Sequence, residues 1–501
     1  MPKTNPRYIL ALDQGSTSSR AVLYDHAGRI VYKSQTPLRS LLPAPDRVEH
    51  RPDDLLGTQR TVISDALRWL GKNGVQKIAA IGITNQRSTF LLWDRKTGRP
   101  LQNMISWQDR RGAEICREMR KYQDRIREKT GLQLTPHSTI GKLRWVLDHD
   151  KSIRKKAENE ELLFGTVNSY LIWNLTKGRV HATDHTNASR TLMLNLKSLK
   201  WDSALLRLFD IPEAILPRLL PTTTSYGEAV LGKSCIPILS SIGDQQGSLC
   251  GQGGFSPGDM AVTYGTGGFL VFNIGDQLPA RSQLLKTIAW SSQDKIRYAL
   301  EGTVNAAGSA ILWLQNNLRL ITHPREIDSL CKMSLGAVFM IPALSGLGSP
   351  HYSQTDSAFL GLDRKTTNAD LVKGLIEGIA YLMKDNFEQM KRESSIPIRK
   401  ITAGGGAARN AYLLQFQADL FGKEIALASV YETSSRGAAY LAGLGCGFWK
   451  DLDEIKNLKQ TRKVFQPRLK PREVERLYTR WQEALALAQA WSEKSKRPCE
   501  R

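Results

Sequence analysis

Near the N-terminus, Asp13-Gln14-Gly15-Ser16-Thr17-Ser18-Ser19-Arg20 sets a carboxylate, a glycine, four hydroxyls and a guanidinium directly after an apolar run. A carboxylate ending a strand, followed by a small-residue turn, suits a phosphate group. Backbone amides and hydroxyls donate to its oxygens, and the carboxylate can hold Mg2+ directly or through water. The same residues also make an ordinary hairpin with an Asx-type turn. Tyr264-Gly265-Thr266-Gly267-Gly268-Phe269 is a second such turn, able to hold the other side of the phosphates. Gly404, Gly405 and Gly406 follow a strand and precede a helix near Asn410, and glycines there let a ligand such as adenosine lie against the backbone. Asp244 closes the strand that ends at Ile242. It is placed either to accept a proton from a substrate hydroxyl or to cap the helix that follows. One such turn is open to either reading, whereas three, each leaving a strand, are harder to dismiss together.

Two other patterns are decoys. Gly227-Glu-Ala-Val-Leu-Gly232-Lys233-Ser234 matches a phosphate-binding P-loop. That motif works only where a helix N-terminus follows, and Pro237 sits instead in a strand, which predicts a hairpin. His181 and His185 have the spacing of metal ligands on a helix, but their Thr/Asp/Asn-rich surroundings predict a polar loop.

The elements that must position these residues alternate in type. Apolar strands are predicted over 78–84, 236–242, 338–342 and 398–403, and helices over 52–70, 141–149, 307–318, 369–392, 411–421 and 474–491. Both 8–25 and 260–273 read as strand, small-residue turn, strand, a coarse duplication that suggests two related domains. Mixed strands and helices make the fold class α/β, and the Gly/Pro cluster at 251–258 marks the boundary. Trp481, Leu485, Leu487 and Trp491 are expected to form one docking or packing face of the last helix.

At 501 residues the chain has the length of two or three domains. No stretch reaches transmembrane length. The six cysteines (Cys116, Cys235, Cys250, Cys331, Cys446, Cys499) lack paired spacing, which predicts reduced thiols in a cytoplasmic protein. The net charge of +22 is spread along the chain without a basic block interleaved with aromatics, so a solvated basic surface is favoured over a nucleic-acid partner.

In order along the chain, the run 11–25, Ile81-Gly-Ile-Thr-Asn-Gln86-Arg87, Ser106-Trp107-Gln108, Leu163-Phe-Gly-Thr-Val, Thr183-Asp-His-Thr-Asn187-Ala-Ser-Arg190, Gly243-Asp244-Gln245-Gln246, Tyr264-Gly-Thr-Gly267 and Gly437-Ala-Ala-Tyr-Leu-Ala-Gly443 resemble the glycerol kinases among the FGGY carbohydrate kinases. The resemblance covers about Pro6 to Gln466. It implies two actin-like, ribonuclease-H-type domains with a nucleotide cleft between them: 6–252 for acceptor, phosphate turn and catalytic Asp, 253–466 for nucleotide, then a helical extension 467–501. It implies ATP and Mg2+, with Asp13 near the metal and Asp244 as catalytic base. Ser16, Thr17, Ser18 and Arg20 would line the phosphates, and Thr266, Gly308, Gly405 and Arg409 the nucleotide. Arg87, Trp107, Asp244, Gln245 and Phe269 match acceptor positions, as do Ser88 and His137, where the family has Glu and Tyr. Leu312 replaces a nucleotide-site Gln, Arg409 an Asn and Ala403 an Asp. The loop at 232–236 is shorter than the one some bacterial members use for feedback by fructose 1,6-bisphosphate, which argues against that regulation. The expected activity is phosphorylation of a small polyol, glycerol first, by a protein acting alone or as a homodimer or homotetramer. The alternatives are an FGGY kinase for another polyol, ketose or triose, and a non-catalytic nucleotide-binding regulator on the same fold.

Overall fold

The computed structural model describes residues 7–334, 336–458 and 461–495, so Pro6, Cys499 and the last residues of the expected extension lie outside the described residues. The chain divides into two compact units. The first runs through Phe255 and takes in Lys286–Tyr298 and the segment from Thr433 to Leu458; the second holds Ser256–Leu285, Ala299–Glu432 and the chain from Thr461.

The first unit is built on a six-stranded sheet in the order Glu228–Leu231, Ser234–Gly243, Ile78–Asn85, Tyr8–Gln14, Ser18–Tyr24, Ile30–Pro37. The second, third and fourth of these run parallel. They are apolar almost continuously because both sheet faces are covered, as parallel strands require. Leu10, Leu12, Ile81, Ile83, Ile236 and Ile238 from them enter one core. One cover is the helix Pro52–Leu70, which starts on a proline, carries Asp53 and Asp54 in its first turn and Arg68 in its last, and stops at Gly71 with φ +70°. Those charges complement the helix dipole, and the buried row Leu55, Gln59, Val62, Ile63, Ala66 and Leu70 faces the sheet. The helix Thr433–Gly445 contacts the parallel strands and crosses the helix Asp244–Gly251 at backbone contact. A Cβ on Gly437 would lie 1.9 Å from the Gly247 carbonyl, so this crossing requires glycine. The P-loop-like segment is the hairpin Glu228–Leu231/Ser234–Gly243, with Gly232 at φ +65° in its turn.

In the second unit the hairpin Asp259–Tyr264/Gly268–Gly275 repeats the design of the first. Parallel strands Lys400–Gly404 and Ile425–Ala428 follow beside it, then antiparallel Thr461–Phe465. The strand expected from 398 begins at Lys400, because its ladder starts opposite Asp259, while the Arg399 amide is held by the Gly258 carbonyl at 2.8 Å. The helix Pro471–Ser495 corrects one expectation. Trp481 and Leu485 are buried, whereas Leu487 and Trp491 are exposed, so the four residues do not share a face. Tyr478 and Trp481 both donate to Asp385 on the helix Asn368–Glu393, at 2.7 and 3.2 Å, which orients the helix by its inner side. Among the described residues no helix is long and apolar enough to cross a membrane, and Cys116, Cys235, Cys250, Cys331 and Cys446 are free thiols.

Candidate active site

Parallel pairing fixes which residues meet in the first unit. Gln14 is in register with Asn85, and Asn85 with Gly243. The turn after Gln14, the segment Gln86–Ser88 and the Gly243–Asp244 junction therefore emerge together at the carboxyl ends of three strands, where open α/β sheets bind ligands. Asp13 and Arg20 face each other across the hairpin and pair at 2.9 Å. The Gln86 Oε1 accepts from Ser16 Oγ at 2.9 Å and from Thr89 Oγ1 at 3.0 Å. The indole of Trp107 donates to Ser16 Oγ at 2.9 Å. Arg87 Nε lies 3.2 Å from Asp244 Oδ1, and its terminal nitrogen donates to Gln246 Oε1 at 3.2 Å. Gln246 in turn donates to Thr287 Oγ1 at 3.1 Å.

Asp244 opens the helix Asp244–Gly251, but Gly243 is the cap residue and no side chain caps that end. Among the buried polar atoms without a hydrogen-bond partner are Ser18 Oγ and Gln245 Oε1. Such atoms cost free energy unless something fills their bonds, so both are open to a ligand. Thr17 is exposed. Ser88 adopts φ +65°, and its hydroxyl donates to the Arg190 carbonyl at 3.1 Å. His137 lies against the backbone of Trp107 and Gln108; desolvation, then the charges of Lys142 and Arg110, hold its pKa below the ordinary imidazole value.

In the second unit the two glycine turns, at 264–268 and 404–406, meet the start of the helix Gly308–Asn316. Gly308 donates to the Gly265 carbonyl at 2.9 Å, and Ala307 and Ser309 both donate to the Thr266 carbonyl at 3.0 Å. Gly405, at φ +92°, sits where a Cβ would be 2.5 Å from the Tyr264 carbonyl, while a Cβ on Gly406 would meet nothing within 4 Å. Tight packing behind and open space in front make a backbone cradle. Phe269 is the second residue of the return strand of the first turn, Leu312 is exposed on the helix Gly308–Asn316, and the exposed Arg409 lies over the Tyr431 ring at 4.4 Å. Ala403 is buried in the sheet and offers the cradle no polar atom.

One member of the histidine pair needs correction. His181 lies in the loop before the strand Ala182–Asp184, as expected, whereas His185 opens the one helical turn His185–Ala188, capped by the Asp184 carboxylate. Among the described residues no group of three or more His, Cys, Asp or Glu could hold a metal. The rings serve structure: His181 Nε2 meets the Phe164 carbonyl at 2.8 Å and His185 Nδ1 the Ser291 hydroxyl at 3.0 Å. Burial is the main cause that pushes both pKa values down to about 4. An unfolded chain takes up these protons near pH 6.5. Between pH 6.5 and 4 the unfolded state therefore binds more protons, and stability falls as pH falls. Urea denaturation at pH 7 and 4.5 should differ by on the order of a few kcal/mol from this source. Asp184, whose pKa burial raises, opposes the trend. The comparison with His185→Gln, which should flatten the slope, isolates the imidazole.

Gln86 and Gln246 belong to the sequence motifs, but their part in orienting Ser16, Thr89 and Arg87 emerges only from the fold. The motifs also pass over Lys142, which is fully buried and donates to the Ser106 carbonyl at 2.7 Å.

Residues 8–251 match the model of the FGGY family of carbohydrate kinases, N-terminal domain, and residues 260–446 that of the C-terminal domain. Over 495 residues the chain is 43% identical to a glycerol kinase of Bacillus licheniformis, covering 97% of this chain and 99% of that one. It is 43% identical over 497 residues to glycerol kinase 2 of Thermotoga maritima, covering 97% and 100%. The solved structure of Plasmodium falciparum glycerol kinase with ADP superposes with a TM-score of 0.90 at 31% identity, covering 96% and 98% of the two chains.

Proposed function

The chain belongs to the FGGY family of carbohydrate kinases, and from that membership and the geometry of its two units we propose that it transfers the γ-phosphoryl group of ATP to glycerol, giving sn-glycerol 3-phosphate and ADP. The observation that carries this reading is the pairing of Arg87 with Asp244 at 3.2 Å at the carboxyl ends of the parallel strands, next to the unpartnered Gln245 Oε1. Arg87 fixes the orientation of the carboxylate. Asp244 takes the proton of the acceptor hydroxyl as its oxygen bonds to the γ-phosphorus, and the bond from that phosphorus to the bridging oxygen breaks with its electrons leaving on ADP. Gln245 Oε1 accepts from a second acceptor hydroxyl, Trp107 and Phe269 supply apolar faces, and Ser88 and His137 complete the acceptor set.

Ser16, Thr17, Ser18 and Arg20 serve the phosphates, with the free Ser18 hydroxyl as a donor. Thr266, Gly308, Gly405 and Arg409 serve the nucleotide, a role supported by the cradle in front of Gly406. Mg2+ takes one or two carboxylates and fills its remaining positions with water and phosphate oxygens. Asp13 beside a hydroxyl turn fits that donor set. When bound, the ion neutralises charge on the β- and γ-phosphates. Cytoplasmic placement agrees with the free thiols, and the assembly is a homodimer or homotetramer.

The test is ADP release from Mg-ATP with glycerol, dihydroxyacetone, glyceraldehyde, erythritol, ribulose and xylulose. Glycerol should be preferred by about a hundredfold or more in kcat/KM, the discrimination a polar site gives against analogues that leave its groups unpaired. The family's carboxylate is absent at Ser88, and that favours one specific alternative. If only a larger or oxidised acceptor is turned over, Ser88 and His137 have reset the specificity and glycerol is not the substrate.

A further inference from the structure

Lys142 is fully buried on the helix Thr139–His149, a place where lysine is rarely found without a partner. Its Nζ donates to the Ser106 carbonyl at 2.7 Å. The same carbonyl accepts from the Asp109 amide at 3.1 Å, closing a turn with Trp107 and Gln108 at its tip. The Trp107 amide donates to Thr89 Oγ1 at 3.0 Å and its indole to Ser16, so the turn reaches both the segment after Gln86 and the phosphate turn. The nearby carboxylate, Asp109, is occupied elsewhere: Arg111 binds both of its oxygens at 2.9 and 2.8 Å, and the Val48 amide adds a bond at 2.8 Å. Arg111 also pairs with Glu49 at 2.5 Å. What Lys142 holds is thus a backbone carbonyl next to an acceptor residue.

We propose that Lys142 is a positioning residue for the acceptor site, its ammonium clamping the Ser106 carbonyl so that Trp107 is held in place against the substrate. The proposal rests on the assignment of Trp107 to the acceptor site. It also gives acceptor binding a dependence on pH. The titratable groups that face Lys142 are Asp109, Arg111 and the thiol of Cys116, which burial keeps protonated, and His137 lies near enough to feel the charge of Lys142. Burial, as the largest cause, brings the Lys142 pKa down to about 7, while His137 titrates lower than an ordinary imidazole. The clamp is therefore charged and strong below neutrality, and neutral and weaker above it. Changes at His137 fall on the acid side of this window.

The experiment measures KM for glycerol and for ATP on the full chain from pH 6 to 9, in the parent and in Lys142→Met. In the parent, glycerol KM should rise about tenfold as pH passes through 7 to 8.5, with ATP KM changing less than about twofold. In Lys142→Met, glycerol KM should already be about tenfold higher at pH 6 and stay level with pH, while kcat falls much less. A glycerol KM that is flat with pH in the parent, or a variant that follows the parent's profile, overturns the proposal. If the variant does not fold, the parent's profile alone decides. If the parent turns over no glycerol at any pH, the glycerol assignment fails, and hydrogen exchange of residues 104–110 at fixed pH still tests the clamp. Protection lost there in Lys142→Met, with residues 238–250 unchanged, supports it; unchanged protection at 104–110 rejects it.

Discussion

Asp244→Asn should lower kcat about a thousandfold while changing acceptor KM less than about fivefold, as expected for loss of a general base whose shape is kept. The competing role for this residue is structural, since it opens the helix Asp244–Gly251 and accepts from the Gln245 amide at 2.8 Å. Magnitudes separate the two. A negative charge at an exposed helix start contributes about 0.3–1 kcal/mol, and the Asp244 side chain is one-third exposed, at 33%. A thousandfold loss of rate corresponds to about 4 kcal/mol of transition-state stabilisation. Urea denaturation of the variant should therefore change by about 1 kcal/mol or less, against that larger loss in turnover. A kcat within tenfold of the parent, with the fold intact, would mean that another group takes the proton.

The parts of this molecule that the sequence made legible are local. Strand alternation and small-residue turns are written in consecutive residues, so both hairpins, Tyr8–Gln14/Ser18–Tyr24 and Asp259–Tyr264/Gly268–Gly275, are readable from residue types alone. Pro237 rejects the P-loop for the same reason, through the conformation of its own segment. The helices 52–70 and 411–421 match their predicted limits, the first because proline and glycine punctuate it, the second because Asn410 caps it and Gly422 adopts φ +60° after it. What stayed hidden depends on distant chain. The segments 286–298 and 433–458 belong to the first unit although the middle of the chain intervenes, and no local pattern records that. His185 reads as polar loop because its burial comes from Ser291, 106 residues away. Lys142 left a usable signal: it shares a helix face with Thr139 and Val146, both buried, which is no place for a solvated lysine. Its partner, the Ser106 carbonyl, is a backbone atom, which residue types do not reveal. The candidate site follows the same division. Asp13, Asp244 and the glycine turns stand out by type and position, whereas Gln86 and Gln246 matter only through what they touch.

Asp13→Asn carries the second large effect: kcat should fall about a hundredfold or more at moderate Mg2+, and half-saturation by Mg2+ should rise about tenfold. Asp13 is nearly buried, and it pairs with Arg20 across the hairpin. Two roles are therefore open to the carboxylate, holding the ion or holding Arg20 beside the phosphates. Asparagine keeps the shape and removes the charge, so it disturbs both. Arg20→Met removes the guanidinium, with its ion pair and its phosphate contact, and leaves the Asp13 carboxylate in place. Arg20 keeps 30% of its side chain in solvent but Asp13 only 8%, so urea denaturation accompanies both variants to show that the hairpin stays folded. If Asp13 serves the ion, Arg20→Met leaves the Mg2+ half-saturation within about twofold of the parent and raises ATP KM, because a phosphate contact is lost. If Asp13 serves only to position Arg20, the two variants share one profile: equal losses in ATP KM and no shift in Mg2+ dependence. The Mg2+ titration thus discriminates between these roles even if both variants lose the same amount of rate, because only a group that holds the ion can change how much of it is needed.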